Sequence, residues 1–166
     1  MAKKLKKFEH RDIHNRELYL MSVDSFSEIF PLPVREKSHF GLLLAMDGRK
    51  DIVGDLGEVP ERLINEGLAY LCVWGPDCSR IHDIFDEVNV HIEVKTGKEF
   101  PIMTTWHEKE SLDEALWFIL YCAIPYDELV DKCSTSYIIS VGNKNWFKQL
   151  DYGLSDISDL DNRVTV

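Results

Sequence analysis

One short string of the chain combines residue types that could carry out nucleophilic chemistry. The string Trp74–Cys78 ends a predicted strand and places Cys78 in the first turn of the helix that follows. A helix N-terminus lowers the pKa of a thiol, so Cys78 is a candidate nucleophile, with His107 or His82 as its base. Against this, Asp77 would raise the pKa of the thiol, and cysteine is common as a small buried residue. The structural interpretation is the stronger of the two.

A carboxylate at another predicted strand end is the feature that bears on a cofactor. Asp47 follows the apolar run His39–Met46, at a place where an acid can hold Mg²⁺. Magnesium sites use one or two carboxylates together with substrate phosphates, and the second carboxylate would have to be Asp77 or Glu108. A turn with Gly48 explains Asp47 without a metal. We therefore predict no cofactor, with Mg²⁺ as a weak alternative.

A metal site is also considered on the next predicted helix. His82 and Asp86 are four residues apart and share one helical face, with Asp83 and Glu87 beside them. A solvated acidic face is the more economical explanation, because the intervening residues have the spacing of a buried stripe. No metal site is predicted.

Two tryptophans end neighbouring predicted strands. Trp74 and Trp106 could flank a cleft and stack on a planar ligand, or they could plug the edge of the sheet, and the sequence favours neither. Arg49 is a candidate contact for an anion. The complete candidate cleft at the strand ends consists of Asp47, Arg49, Trp74, Asp77, Cys78, Trp106, His107 and Asn143.

The elements that must position these residues follow a repeated pattern. Four apolar runs each end in a small or polar cluster and are followed by a helical stretch: His39–Met46, Ala69–Val73, Pro101–Thr105 and Tyr137–Val141. This alternation predicts an α/β fold with a small doubly wound, mostly parallel sheet of about four strands, Rossmann-like or flavodoxin-like. Ligands bind such sheets outside the carboxyl ends of the strands. Alternating polar and apolar residues in 89–100 predict an added edge strand or hairpin.

The chain divides into three parts. Residues 1–38, with a basic start, are predicted as an arm packed on the α/β domain of residues 39–150, and residues 151–166 as an acidic tail that frays. The predicted helix Ala115–Ile124 is apolar almost all round, so something must cover its outer side. Covering by the chain itself is preferred over a homodimer formed through this helix.

Composition excludes several classes of protein. The 166 residues carry 19 Lys and Arg against 29 Asp and Glu, a net charge of −10 that disfavours nucleic acid as a partner. No apolar run reaches the roughly 20 residues of a membrane span, no signal peptide is recognisable, and the four cysteines lack C-x-x-C spacing. The glycine patterns of dinucleotide and P-loop sites are missing. We expect a cytoplasmic protein with reduced thiols and buried, inert Cys72 and Cys122.

Three strings carry a resemblance to a known family. Leu71–Cys78, Met103–His107 and Glu110–Phe118 resemble an uncharacterised family of small bacterial proteins, over roughly residues 68–150. The resemblance implies a bacterial, cytosolic setting and no activity.

Two classes of function remain open, and whether the protein is an enzyme stays undecided. The first is a non-enzymatic protein-binding module, such as a regulator or an immunity or defence component, which the missing catalytic motifs and the acidic charge favour. The second is an enzyme or sensor for a nucleotide-like or phosphorylated small molecule. In that case Asp47, Arg49, Asp77, His107 and Asn143 would act at the strand ends.

Overall fold

The computed structural model describes residues 3–50, 55–99 and 101–164. Their strands are β1 (Lys4–Arg11), β2 (Glu17–Val23), β3 (His39–Ala45), β4 (Leu68–Trp74), β5 (Met103–His107) and β6 (Cys133–Val141). Their helices are α1 (Asp55–Asn65), α2 (Cys78–Thr96), α3 (Leu112–Tyr121), α4 (Asp127–Val130), α5 (Lys144–Ser155) and α6 (Ile157–Arg163), with a 3₁₀ turn at Phe26–Ile29.

The six strands form one mixed sheet in the order β1-β2-β6-β3-β4-β5. β1 is antiparallel to β2, and the other neighbours are parallel. The predicted α/β class with mostly parallel strands is confirmed, but the sheet has six strands rather than about four. The difference arises because the region predicted as an arm supplies β1 and β2.

Helices cover both faces of the sheet, as a doubly wound fold requires. α1, α2 and the 3₁₀ turn pack on one face, and α3, α5 and α6 pack on the other. β3 shows why both faces need cover, since Leu42 and Leu44 enter the first layer while Leu43 enters the second. A strand buried on both faces has the continuous apolar sequence seen here.

Two segments differ from the sequence prediction. Residues 89–96 belong to α2 and form no edge strand or hairpin: Val90 and Val94 are 55% and 83% exposed, and only Ile92 reaches the core. Gly97 then ends the helix in a left-handed conformation. The predicted frayed tail is instead helical up to Arg163, because Leu160 is fully buried against α3 and α5.

The apolar helix α3 is covered by the chain itself. α5 and α6 pack on it. A capping box fixes its start, in which the Ser111 hydroxyl accepts from the Glu114 N–H at 3.1 Å and the Glu114 carboxylate accepts from the Ser111 N–H at 2.6 Å.

Among the described residues, no helix is both long enough and apolar enough to cross a membrane.

Candidate functional site

The loops after β3 and β4 are joined by backbone contacts at the carboxyl edge of the sheet. The Gly48 N–H donates to the Pro76 carbonyl at 2.8 Å, and the Arg80 guanidinium donates to the Gly48 carbonyl at 2.7 Å. A Cβ on Gly48 would lie 2.4 Å from the Asp77 carbonyl oxygen, and one on Gly75 would lie 2.3 Å from the Met46 carbonyl oxygen. Both glycines are therefore needed for this close approach, which closes the space between the ends of the two strands.

Asp47 and Arg49 bind each other. The Arg49 side chain donates to both carboxylate oxygens of Asp47, at 3.0 and 2.9 Å, and its backbone N–H donates to one of them at 3.0 Å. These bonds from Arg49 lower the pKa of Asp47 to about 2. The carboxylate that was weighed as a magnesium ligand and the candidate anion contact are therefore bound to each other.

Cys78 is a buried thiol rather than an activated nucleophile. The side chain has no exposed surface, and burial raises the pKa of its thiol, against the lowering that a helix N-terminus alone would give. The sulfur lies against the backbone of His107, but the His107 imidazole packs on Phe118 on the opposite face of the sheet, with ring centres 4.7 Å apart. The sheet thus separates His107, one of the two candidate bases, from the thiol. Cys122, predicted to be buried, is exposed.

The His107 imidazole is held in a buried and neutral state. Its Nε2 lies 3.0 Å from the Thr105 hydroxyl, and its Nδ1 lies 3.7 Å from a carboxylate oxygen of Glu110. Burial lowers the pKa of His107. At neutral pH the Glu110 carboxylate therefore has an uncharged neighbour in this imidazole.

His82 is also buried. Its Nδ1 lies 3.0 Å from an Asp83 oxygen and its Nε2 lies 2.9 Å from the Thr104 hydroxyl, which donates to Asp86 at 2.8 Å. This network ties α2 to β5. Within the described part of the chain, no group of three or more histidines, cysteines and acids is arranged to hold a metal ion.

The two tryptophans of the predicted cleft lie on opposite faces of the sheet. The register pairs Trp74 with His107 and Val73 with Trp106. Trp74 accordingly packs against Trp146 of α5, with ring centres 5.1 Å apart, whereas Trp106 packs against His82 of α2 at 4.5 Å. They therefore cannot flank a common ligand, although Trp74 has an aromatic partner that the sequence analysis missed.

Asn143 has a local role that explains the position of that partner. Its side-chain oxygen accepts from the N–H groups of Asn145 and Trp146 at 3.0 and 3.1 Å, which caps the N-terminus of α5. The cap fixes the first turn of the helix, from which Trp146 reaches Trp74.

A cavity of about 350 Å³ lies beside this aromatic pair. Its lining, which we call the Trp–acid pocket, consists of Trp74, Gly75, Pro76, Asp77, Glu108, Glu110 and Trp146. The Trp74 indole N–H donates to the Glu110 carbonyl at 2.8 Å, so the ring is fixed against the loop that carries two of the acids. Aromatic faces and carboxylates together attract organic cations.

The structure brings only two of the eight predicted cleft residues, Trp74 and Asp77, into this pocket. Glu108, weighed in the sequence analysis only as a magnesium ligand, also lines it. Glu110 and Trp146 were missed, and the sole signal for them was that each lies five residues after the end of a predicted strand.

Comparison with known proteins identifies a family and no activity. The model of the DUF7684 family, a domain of unknown function, matches residues 21–156, and because this is most of the chain, the chain belongs to that family. The predicted resemblance to an uncharacterised family is thereby confirmed. No curated protein and no solved structure matches.

Proposed function

We propose that this member of the DUF7684 family is a non-enzymatic protein-binding module that takes up a lysine or arginine side chain of its partner. The observation that supports this function is the Trp–acid pocket, in which two indole rings and three carboxylates surround one cavity at the carboxyl edge of the sheet. A ligand that fits this lining carries a positive charge on an apolar stem, as lysine and arginine do.

The charges of the pocket are available to such a ligand. Among the described residues, Glu108 forms no ion pair, and Glu110 has only the 3.7 Å approach of His107, whose pKa is lowered by burial. Asp77 is exposed and caps α2 without a side-chain hydrogen bond. Among the described residues, an incoming cation would therefore meet two carboxylates, Glu108 and Glu110, that have no Lys or Arg salt bridge, whereas Asp77 also interacts with the charge of Arg49.

The alternative, an enzyme or sensor for a phosphorylated small molecule at the same edge, has less support. Asp47 and Arg49 neutralise each other, the Asn143 oxygen is used as a helix cap, and His107 is buried. An anionic ligand would also be repelled by the carboxylates of the pocket.

The test uses short glycine-flanked peptides that contain one arginine, one lysine or one glutamine, with binding measured by calorimetry at low ionic strength. The first two should bind and the glutamine peptide should not. Glu108→Gln removes a charge and should weaken binding. Trp146→Leu keeps an apolar side chain but removes the π face, and should cost about three- to thirtyfold in affinity.

Trp106→Ala is the matched control, because Trp106 is 50% exposed but lies on the other face of the sheet. It should bind the cationic peptides as the wild type does. Equal affinity for the arginine and glutamine peptides, or equal losses in Trp106→Ala and Trp146→Leu, would overturn the proposal. Asp47→Ala should also leave binding intact, whereas the small-molecule alternative requires a loss.

A homodimer through α3 stays a proposal of lower rank. α5 and α6 already cover much of the helix, so the apolar side that suggested a partner is buried within the chain.

A further inference from the structure

Three cations meet one buried carboxylate at the opposite, amino edge of the sheet. The Glu17 side chain is 7% exposed, and its Oε1 lies 2.5 Å from Arg35 Nη2, 3.2 Å from Arg11 Nη2 and 3.7 Å from Lys7 Nζ. Lys7 and Arg11 come from β1, Glu17 begins β2, and Arg35 comes from the loop before β3. All three cations thus approach a single oxygen, two from β1 and one from the loop before β3.

This arrangement leaves an uncompensated positive charge. With Glu9, the second carboxylate at this place, the three cations still exceed the acids by one positive charge, in a protein whose net charge is −10. Lys7, Arg11 and Arg35 keep 53%, 45% and 65% of their side-chain surface exposed, so they remain able to contact a ligand. Arg11 is fixed further by donating to the Asn15 carbonyl at 3.1 Å.

A cavity of about 380 Å³ adjoins the cluster and is lined by Lys7, Phe8, Glu9, Arg11 and Glu17. Lysines on an edge strand also prevent edge-to-edge pairing, and this suffices for Lys4 on the free edge of β1. It does not explain Arg35, which lies outside β1 and yet reaches the same carboxylate oxygen. Guanidinium groups held in place by a buried acid are suited to bind the oxygens of a phosphate in pairs.

We propose that this cavity, which we call the amino-edge pocket, binds a phosphate group through Lys7 and Arg11 of its lining, together with Arg35, which meets the same Glu17 oxygen beside it. Glu17 acts as a positioning residue, because it holds the cations together in the absence of ligand. The site is independent of the Trp–acid pocket, since the two lie at opposite edges of the sheet.

The experiment titrates the intact protein with inorganic phosphate and pyrophosphate by calorimetry at neutral pH, with ionic strength held constant by sodium chloride. We expect saturable binding that is tighter for pyrophosphate, which has the higher charge. Arg11→Gln and Arg35→Gln should each weaken it about tenfold, the loss of one charged hydrogen bond. Lys148→Gln, which removes an exposed lysine of α5, is the matched control and should bind as the wild type does.

The result that overturns the proposal is the absence of saturable binding, or equal affinity in Arg11→Gln, Arg35→Gln and the control. Each variant leaves Glu17 with two of its three cations, so the thermal midpoints of both variants should stay close to that of the wild type, which separates lost binding from unfolding. Vesicles with and without phosphatidic acid identify the source of the phosphate. If the protein sediments with the acidic vesicles and this depends on Arg35, the phosphate belongs to a lipid headgroup. If the protein does not sediment with them, the phosphate belongs to a soluble molecule.

Discussion

Replacing Gly75 with alanine should destabilise the fold strongly, because this residue lies where the loops after β3 and β4 touch. Its φ is +129°, a region that side chains rarely adopt, and the added Cβ would lie 2.3 Å from the Met46 carbonyl oxygen. Backbone strain of this kind costs about 1 to 3 kcal/mol, and overpacking against an atom that cannot rotate away costs about 1 to 3 kcal/mol more. The expected loss is therefore about 2 to 6 kcal/mol of the free energy of unfolding.

Alanine substitutions at two further glycines allow the predicted changes in stability to be ranked. Gly48 has the same kind of contact, 2.4 Å to the Asp77 carbonyl oxygen, but no positive φ, so Gly48→Ala should lose only the overpacking part, about 1 to 3 kcal/mol. Gly57 lies in the first turn of α1, and an added Cβ would meet nothing within 4 Å. Gly57→Ala should therefore stabilise the protein by about 0.5 to 1 kcal/mol.

Urea unfolding followed by far-ultraviolet circular dichroism measures all three variants on one scale. The expected order of stability is Gly57→Ala, wild type, Gly48→Ala and Gly75→Ala. A Gly75→Ala protein within about 1 kcal/mol of the wild type, a loss below the range given by strain and overpacking, would refute the close approach of the two loops. Because Gly75 also lines the Trp–acid pocket, such a result would weaken the geometry on which the proposed function rests.

Three other predictions concern stability and reactivity. Ser111→Ala should cost about 1 kcal/mol in urea unfolding, since it removes the hydroxyl that accepts from the Glu114 N–H; an unchanged midpoint would contradict the cap. Burial lowers the pKa of His107 from its ordinary 6.5, so the unfolded chain binds the proton first and stability should fall as the pH drops below that value, by at most about 1.4 kcal/mol per pH unit for this group. His107→Gln should make that fall shallower, and an equal slope would be evidence against a neutral imidazole. In thiol titration of the native protein, Cys122 should react quickly and Cys78 only on unfolding, and a fast phase that survives Cys122→Ser would show an accessible second thiol.

The central strands could be predicted from the sequence, whereas β1 could not. β3, β4 and β6 are buried on both faces, and their continuous apolar runs identify them. β1 has one buried side chain, Phe8, among exposed and mostly charged residues, and so its sequence resembles a solvated arm. β1 is a strand because it pairs with β2, and a local sequence pattern holds no information about such pairing.

The extension of α2 was missed for a related reason. Val90, Ile92 and Val94 alternate with polar residues as they would in a half-buried strand, but two of these three valine and isoleucine side chains are exposed. Beyond Asn89 the helix has only Ile92 to bury, so the periodicity that identifies a helix is lost there, and the helix continues from its buried first half.

The site depended on strand register, which explains why its composition was predicted poorly. β4 ends at Trp74, but β5 ends at His107, one residue after Trp106. The register pairs Trp74 with His107, and neighbours on one strand point to opposite faces. A register shifted by one residue would have placed both tryptophans on the same face and produced the predicted cleft. Instead, the order of strands brings α5, which follows β6, over the end of β4, so the aromatic partner of Trp74 comes from a residue 72 positions later in the chain. The acids Glu108 and Glu110 complete the pocket because β5 ends beside β4 in the same register. Which residues line the pocket is therefore determined by which strands are neighbours and by their register. A substitution that shifts β5 by one residue should eliminate the pocket although all of its lining side chains are still present.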